Sequence, residues 1–65
     1  MLQIDKYKIE LLQARAGMSR SEMAKRLGIK KQTLANMLSR KSCSPDKVGK
    51  IAKLFDVDVT EILSQ

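Results

Sequence analysis

Gln32 and Asn36 stand one helical turn apart in the stretch GIKKQTLANMLSRK, which runs from Gly28 to Lys41. A carboxamide offers a donor and an acceptor side by side, so Gln or Asn can pair with the N6 and N7 positions of adenine. Lys can donate to guanine O6 or N7. The flanking cations Lys30, Lys31, Arg40 and Lys41 suit phosphate oxygens. Catalytic chemistry has no comparable support. The chain has no His, its one thiol (Cys43) has no base partner, and its acids are scattered among helix starts and surface positions. Without His there is no zinc-finger spacing, and a single Cys excludes an internal disulfide. No enzymatic activity, cofactor, metal or small-molecule ligand is expected.

Charge is concentrated around the same stretch. Of the net charge of +6, all falls between Arg20 and Lys41, where seven basic residues face Glu22 alone. A cluster of cations is by itself only a solvated face. Segregation into one third of the chain is the electrostatic footprint of a polyanion binder. The chain is read as one domain, residues 1–65, whose core supplies roughly 3 to 10 kcal/mol at the usual stability per residue. No apolar run is long enough to span a membrane. One Cys and no signal peptide fit a reducing, cytoplasmic compartment.

The elements that must position these residues read as all-α. Ala, Leu, Lys, Glu, Gln and Met dominate, with one Tyr, one Phe and no Trp. Asp5 is a candidate cap for a first helix, with Ile4 and Ile9 as a hydrophobic staple and Ile9, Leu12 and Ala16 inward, Leu11 beside them. Tyr7 is expected to pack on this helix, and Gly17 to end it. Ser19-Arg20-Ser21-Glu22 fits a capping box for a second helix, stapled by Met18 and Met23 and stopped by Gly28. A third helix starts near Lys30 or Lys31 and runs to about Ser39. Ser44-Pro45 opens a fourth, stapled by Cys43 and Val48, with Val48, Ile51, Ala52 and Phe55 as its buried face. Gly49 inside it costs about 0.5–1 kcal/mol relative to Ala, which suggests a close helix contact there. Asp58-Val59-Thr60-Glu61 repeats the capping logic for a short fifth helix through Leu63. Met18, Met23 and Met37 read as core, and Cys43 as a small buried hydrophobe.

The second and third helices, joined by Gly28 and Ile29, form a helix-turn-helix, with small Ala24 at the crossing and Ile29, Leu34 and Met37 as anchors. With about 100° per residue and Leu34 inward, Gln32, Asn36 and Ser39 point outward.

MSRSEMAKRLGIKKQTLANML, followed by SPDKVGKIAKLFDVDVTEIL, resembles the Cro and lambda-repressor (XRE) family of helix-turn-helix DNA-binding domains over about residues 6 to 63. The resemblance implies a compact five-helix fold. It implies base contacts from Lys31, Gln32, Thr33 and Asn36, and phosphate contacts from Ser19, Arg20, Arg40 and Lys41. Three positions depart from the family pattern: Leu38 where Glu is frequent, which either extends the core or exposes a hydrophobic spot, Arg40 where Gly is, and Gln13 where Arg is. The implied function is sequence-specific binding to a double-stranded DNA operator by a small Cro-like repressor. It would act as a homodimer joined near Val59 to Gln65 and associate with the nucleoid through its DNA. The rival expectation is an adaptor or antitoxin, in which Leu38 belongs to a protein contact.

Overall fold

The computed structural model describes residues 1–64; Gln65, at the end of the expected dimer surface, lies outside the described residues. Strand β1 (Leu2–Gln3) is followed by helices α1 (Lys6–Ala16), α2 (Arg20–Leu27) and α3 (Lys31–Arg40). Strand β2 (Ser42–Cys43) and helix α4 (Pro45–Phe55) come next, and a 3-10 turn over Val59–Glu61 ends the series.

Most of the helix starts obey local chemistry. The Asp5 carboxylate accepts from Lys8 N–H at 3.0 Å, Ser19 Oγ from Glu22 N–H at 3.1 Å, and Ser44 Oγ from Lys47 N–H at 3.4 Å. Pro45 is the first residue of α4, where its missing N–H leaves no bond unmade. The expected box at α2 closes on one side only. Glu22 turns its carboxylate to Arg26 Nε at 2.8 Å instead of reaching back to Ser19.

Two departures from the expected five-helix, all-α architecture share one cause. The N-terminal segment pairs antiparallel with β2, Leu2 opposite Cys43 and Gln3 opposite Ser42, and on its other side Ile4 bridges Leu63. Asp5 N–H donates to Ile62 O at 2.8 Å and Ser64 N–H to Gln3 O at 2.9 Å. These bonds draw the chain after Glu61 into extended pairing. The Asp58 capping box does form, with Thr60 N–H to Asp58 at 2.9 Å and Asp58 N–H to Glu61 at 3.4 Å, but it opens one 3-10 turn and not a fifth α-helix.

The core gathers side chains from every helix. Ile4, Ile9, Met23, Leu34, Met37, Leu38, Cys43, Ile51 and Ile62 are almost wholly enclosed. The staples at α1 and α4 are thus both buried, and Met18 and Phe55 pack half-buried against this cluster. Leu38 is 1% exposed, so the unusual apolar residue on α3 is core. Tyr7 and Leu11, one turn apart on the outward side of α1, are 71% and 45% exposed, and Ala16 is exposed as well. The inward stripe of α1 is therefore Ile9 and Leu12 alone. Gly49 makes no close helix contact: a Cβ built there would meet nothing within 4 Å among the described residues. The left-handed conformation that ends each helix falls on Gly17 and Gly28, as the sequence suggests, but also on Lys41 (φ 58°) and Asp56 (φ 54°).

Candidate nucleic-acid interface

The turn between α2 and α3 is built by backbone geometry. Gly28 takes φ 71°, its N–H reaches Lys25 O at 3.1 Å, and Ile29 N–H reaches Ala24 O at 3.0 Å. This double closure satisfies the last carbonyls of α2 and reverses the chain within two residues. Ala24 and Leu27 of α2, with Leu34 and Met37 of α3, are buried, and half-buried Ile29 packs against the same cluster. The two helices therefore present their outer faces as one rigid surface.

On α3 the side chains divide by direction. Leu34, Met37 and Leu38 face the core, while Lys31, Gln32, Asn36, Ser39 and Arg40 are exposed and Thr33 lies half-buried at the margin. Gln32 Nε2 donates to Asn36 Oδ1 at 3.0 Å, so the two carboxamides form one hydrogen-bonded unit on the surface. The pair leaves the Asn36 amide protons and a Gln32 carbonyl acceptor facing solvent. The start of α3 differs from the other helix starts. Lys30 occupies its cap position, with no side-chain hydrogen bond to the first turn and no acid in that turn. The N–H groups there keep their positive end of the helix dipole, beside two lysines. The signal was in the sequence: Lys stands where Asp5, Ser19, Ser44 and Asp58 stand at the other starts.

The expected phosphate ligands come from three places. Ser19 caps α2 as an acceptor and keeps its hydroxyl proton available as a donor. Arg20 is not free. Its Nη2 lies 3.6 Å from Glu10 Oε2 of α1, an ion pair too long to be a hydrogen bond, with the two side chains 33% and 44% exposed. Its Nε is enclosed without a hydrogen-bond partner among the described residues. Sequence reasoning missed Glu10 because the pair joins two helices and has no local spacing rule. Arg40 and Lys41 are exposed at the end of α3. Lys41 is fixed from behind, since Ile4 N–H donates to its carbonyl at 2.9 Å. The N-terminal strand thus anchors the loop that carries these two cations.

Other chemistry finds little purchase. Burial pushes the Cys43 thiol up from its ordinary value, against the opposing pull of the Lys47 and Arg40 cations. A protonated interior thiol is a poor nucleophile. Among the described residues no group of His, Cys, Asp and Glu could hold a metal ion, and no helix is long and apolar enough to cross a membrane.

Two helices locked across a glycine turn, the second exposing a polar face flanked by cations, define a helix-turn-helix domain. The helix-turn-helix family matches residues 9–62, and the chain belongs to that family, in its Cro/C1-type (XRE) form. Family members are DNA-binding regulatory domains, and DNA binding is the class of activity that membership gives this chain. Comparison with curated proteins and with solved structures found no match.

Proposed function

We propose that this protein is a sequence-specific regulator of transcription, a small Cro-like repressor that lays α3 in the major groove of double-stranded DNA. The observation that carries the reading is the Gln32–Asn36 carboxamide pair on the exposed face of α3. Its free donor and acceptor complement the N7 and N6 edge of adenine, and Lys31 adds a donor suited to guanine. Thr33 at the margin serves base or backbone. Ser19, Arg20, Arg40 and Lys41 set the register by gripping phosphates, and the uncapped start of α3 adds a favourable field for an anion beside Lys30 and Lys31.

Two copies bind a pseudopalindrome with half-sites about one helical turn, roughly 34 Å, apart. Their contact uses the surface around Val59, which is 42% exposed, and the C-terminal residues. The competing adaptor or antitoxin reading used Leu38 as a candidate contact, and burial of that side chain withdraws that one argument for it.

Selection from random-sequence duplexes tests the reading. An enriched motif is expected, with the Gln32→Ala, Asn36→Ala double variant losing preference at specific positions while still binding DNA generally. Each good base pairing is worth about 1–3 kcal/mol of discrimination. If no motif is enriched and the double variant binds as the parent does, the reading fails.

A further inference from the structure

A second basic feature takes no part in the proposed DNA contacts. Between the last turn of α2 and the C-terminal half of α4 lies an open groove of about 420 Å³. Lys25 and Arg26 of α2 and Lys50 and Lys53 of α4 line it, with Leu27 and Leu54 forming its apolar part. Lys25 lies five residues along α2 from Arg20, roughly 8 Å of helix rise from the end proposed to grip phosphate.

Among the described residues no acid lines the groove. Glu22 and Asp46, one turn back on the same helices, are paired with Arg26 at 2.8 Å and Lys50 at 3.7 Å, and Asp56 stands at the C-terminal cap of α4, three residues beyond Lys53 and outside the lining. Lys25 and Lys53 have no carboxylate partner among the described residues, so the rim carries uncompensated positive charge. Leu54 is half-buried against the core, so its exposed part is the apolar surface between the two rows of cations, with the almost fully buried Leu27 beneath it.

We infer that this groove docks an acidic, amphipathic segment of a partner protein, whose apolar side chains rest on the exposed part of Leu54 while its carboxylates meet Lys25, Arg26, Lys50 and Lys53. Charge complementarity selects an anionic occupant. The apolar floor selects a peptide over a nucleic-acid backbone, because phosphates and sugars gain nothing from leucine. A small molecule is a poor fit, since an open groove cannot enclose most of its surface. Because the proposed reading face lies on α3, the partner can be held while DNA is bound, which makes the groove a recruitment surface. The recruitment role rests on the DNA reading, whereas the docking of the acidic segment does not.

The test uses the full chain and a helical peptide of about 15 residues, long enough for some four turns, with Glu and Asp on one face and Leu on the other. A second peptide replaces each Leu with Ser, and a duplex DNA serves as the third probe. Backbone amide NMR is expected to show shifts at Leu27, Gly28 and Leu54 with the Leu peptide. The Ser peptide should bind about tenfold or more weakly, the effect of losing a buried leucine contact. A Lys50→Gln, Lys53→Gln variant should bind the Leu peptide about threefold to tenfold more weakly, the loss of two exposed ion pairs. Both lysines are exposed, so this variant keeps its circular dichroism. The proposal is overturned if the peptide shifts map to α3, if the Ser peptide binds equally well, if the variant binds unchanged, or if duplex DNA and not peptide perturbs the groove.

Discussion

Arg20 has two claimants, and the structure allows their competition to be measured. In the free protein its guanidinium lies 3.6 Å from Glu10, and on the proposed operator it must turn to a phosphate. Glu10→Gln removes the carboxylate charge while keeping size and polarity. A pair with side chains 33% and 44% exposed belongs to the class worth about 0.2–1 kcal/mol after solvent screening. Releasing Arg20 from it should tighten DNA binding by roughly 1.4-fold to 5-fold. The enclosed, unpartnered Nε works in the same direction, because the guanidinium gives up little hydrogen bonding when it leaves Glu10. The assay is fluorescence anisotropy on a selected duplex, repeated between about 50 and 200 mM salt, where phosphate contacts are most visible. Glu10→Gln also removes one negative charge, which attracts DNA from any position, so a double-mutant cycle with Arg20→Ala isolates the specific part. In the Arg20→Ala background the gain should shrink to that general charge effect. An equal gain in both backgrounds, or weaker binding by Glu10→Gln, refutes the competition. Failure of the parent protein to bind any duplex points elsewhere, to the DNA reading itself.

Three further outcomes follow from particular residues. Lys41→Gly relieves a left-handed backbone that costs a non-glycine residue about 1–2 kcal/mol, partly offset by the greater freedom of glycine in the unfolded chain. Thermal denaturation should show a gain of about 0.5–1 kcal/mol, while the salt slope of DNA binding falls by about one because a phosphate ligand is lost. Gly49→Ala should stabilise by about 0.5–1 kcal/mol, since a Cβ there meets nothing within 4 Å among the described residues; unchanged or lower stability in urea refutes that placement. Hydrogen bonds from the Thr60 N–H and hydroxyl hold the Asp58 carboxyl below its ordinary value of 3.8. A depressed folded-state value gives stability that is complete above the unfolded value and lost as pH falls through the folded one. The 3-10 turn should therefore loosen below about pH 4, seen as faster Thr60 amide exchange, and Asp58→Asn should lose most of that pH dependence.

What could be read from the sequence was what is decided within a few residues. The caps Asp5, Ser19, Ser44 and Asp58 bond to N–H groups two or three positions away, and all were legible. Gly28 was legible for the same reason, and with it the turn that orients α3. The outward placement of Gln32 and Asn36 was legible from helical periodicity, whereas the bond between them, a one-turn neighbour relation, is a finding of the structure. Features set by distant partners were not legible. Glu10 and Arg20 meet across two helices, and the two-residue strands carry no alternation to detect. Lys41 ends α3 in a conformation that sequence rules assign to glycine, so its strain was invisible until its φ was known.

These missed features act together on the proposed interface. Ile4 is almost wholly enclosed in the core while its N–H holds the Lys41 carbonyl, so the N-terminal residues couple core packing to the loop bearing Arg40 and Lys41. Backbone bonding on that side fixes where the loop sits, and the strained φ of Lys41 fixes how sharply the chain leaves α3. A left-handed Lys keeps both a reversal and a cation at one position, where glycine would supply only the reversal. The cost in stability is therefore the price of placing charge at the end of the reading helix, and the opposed effects expected for Lys41→Gly on folding and on DNA binding are two faces of that one compromise.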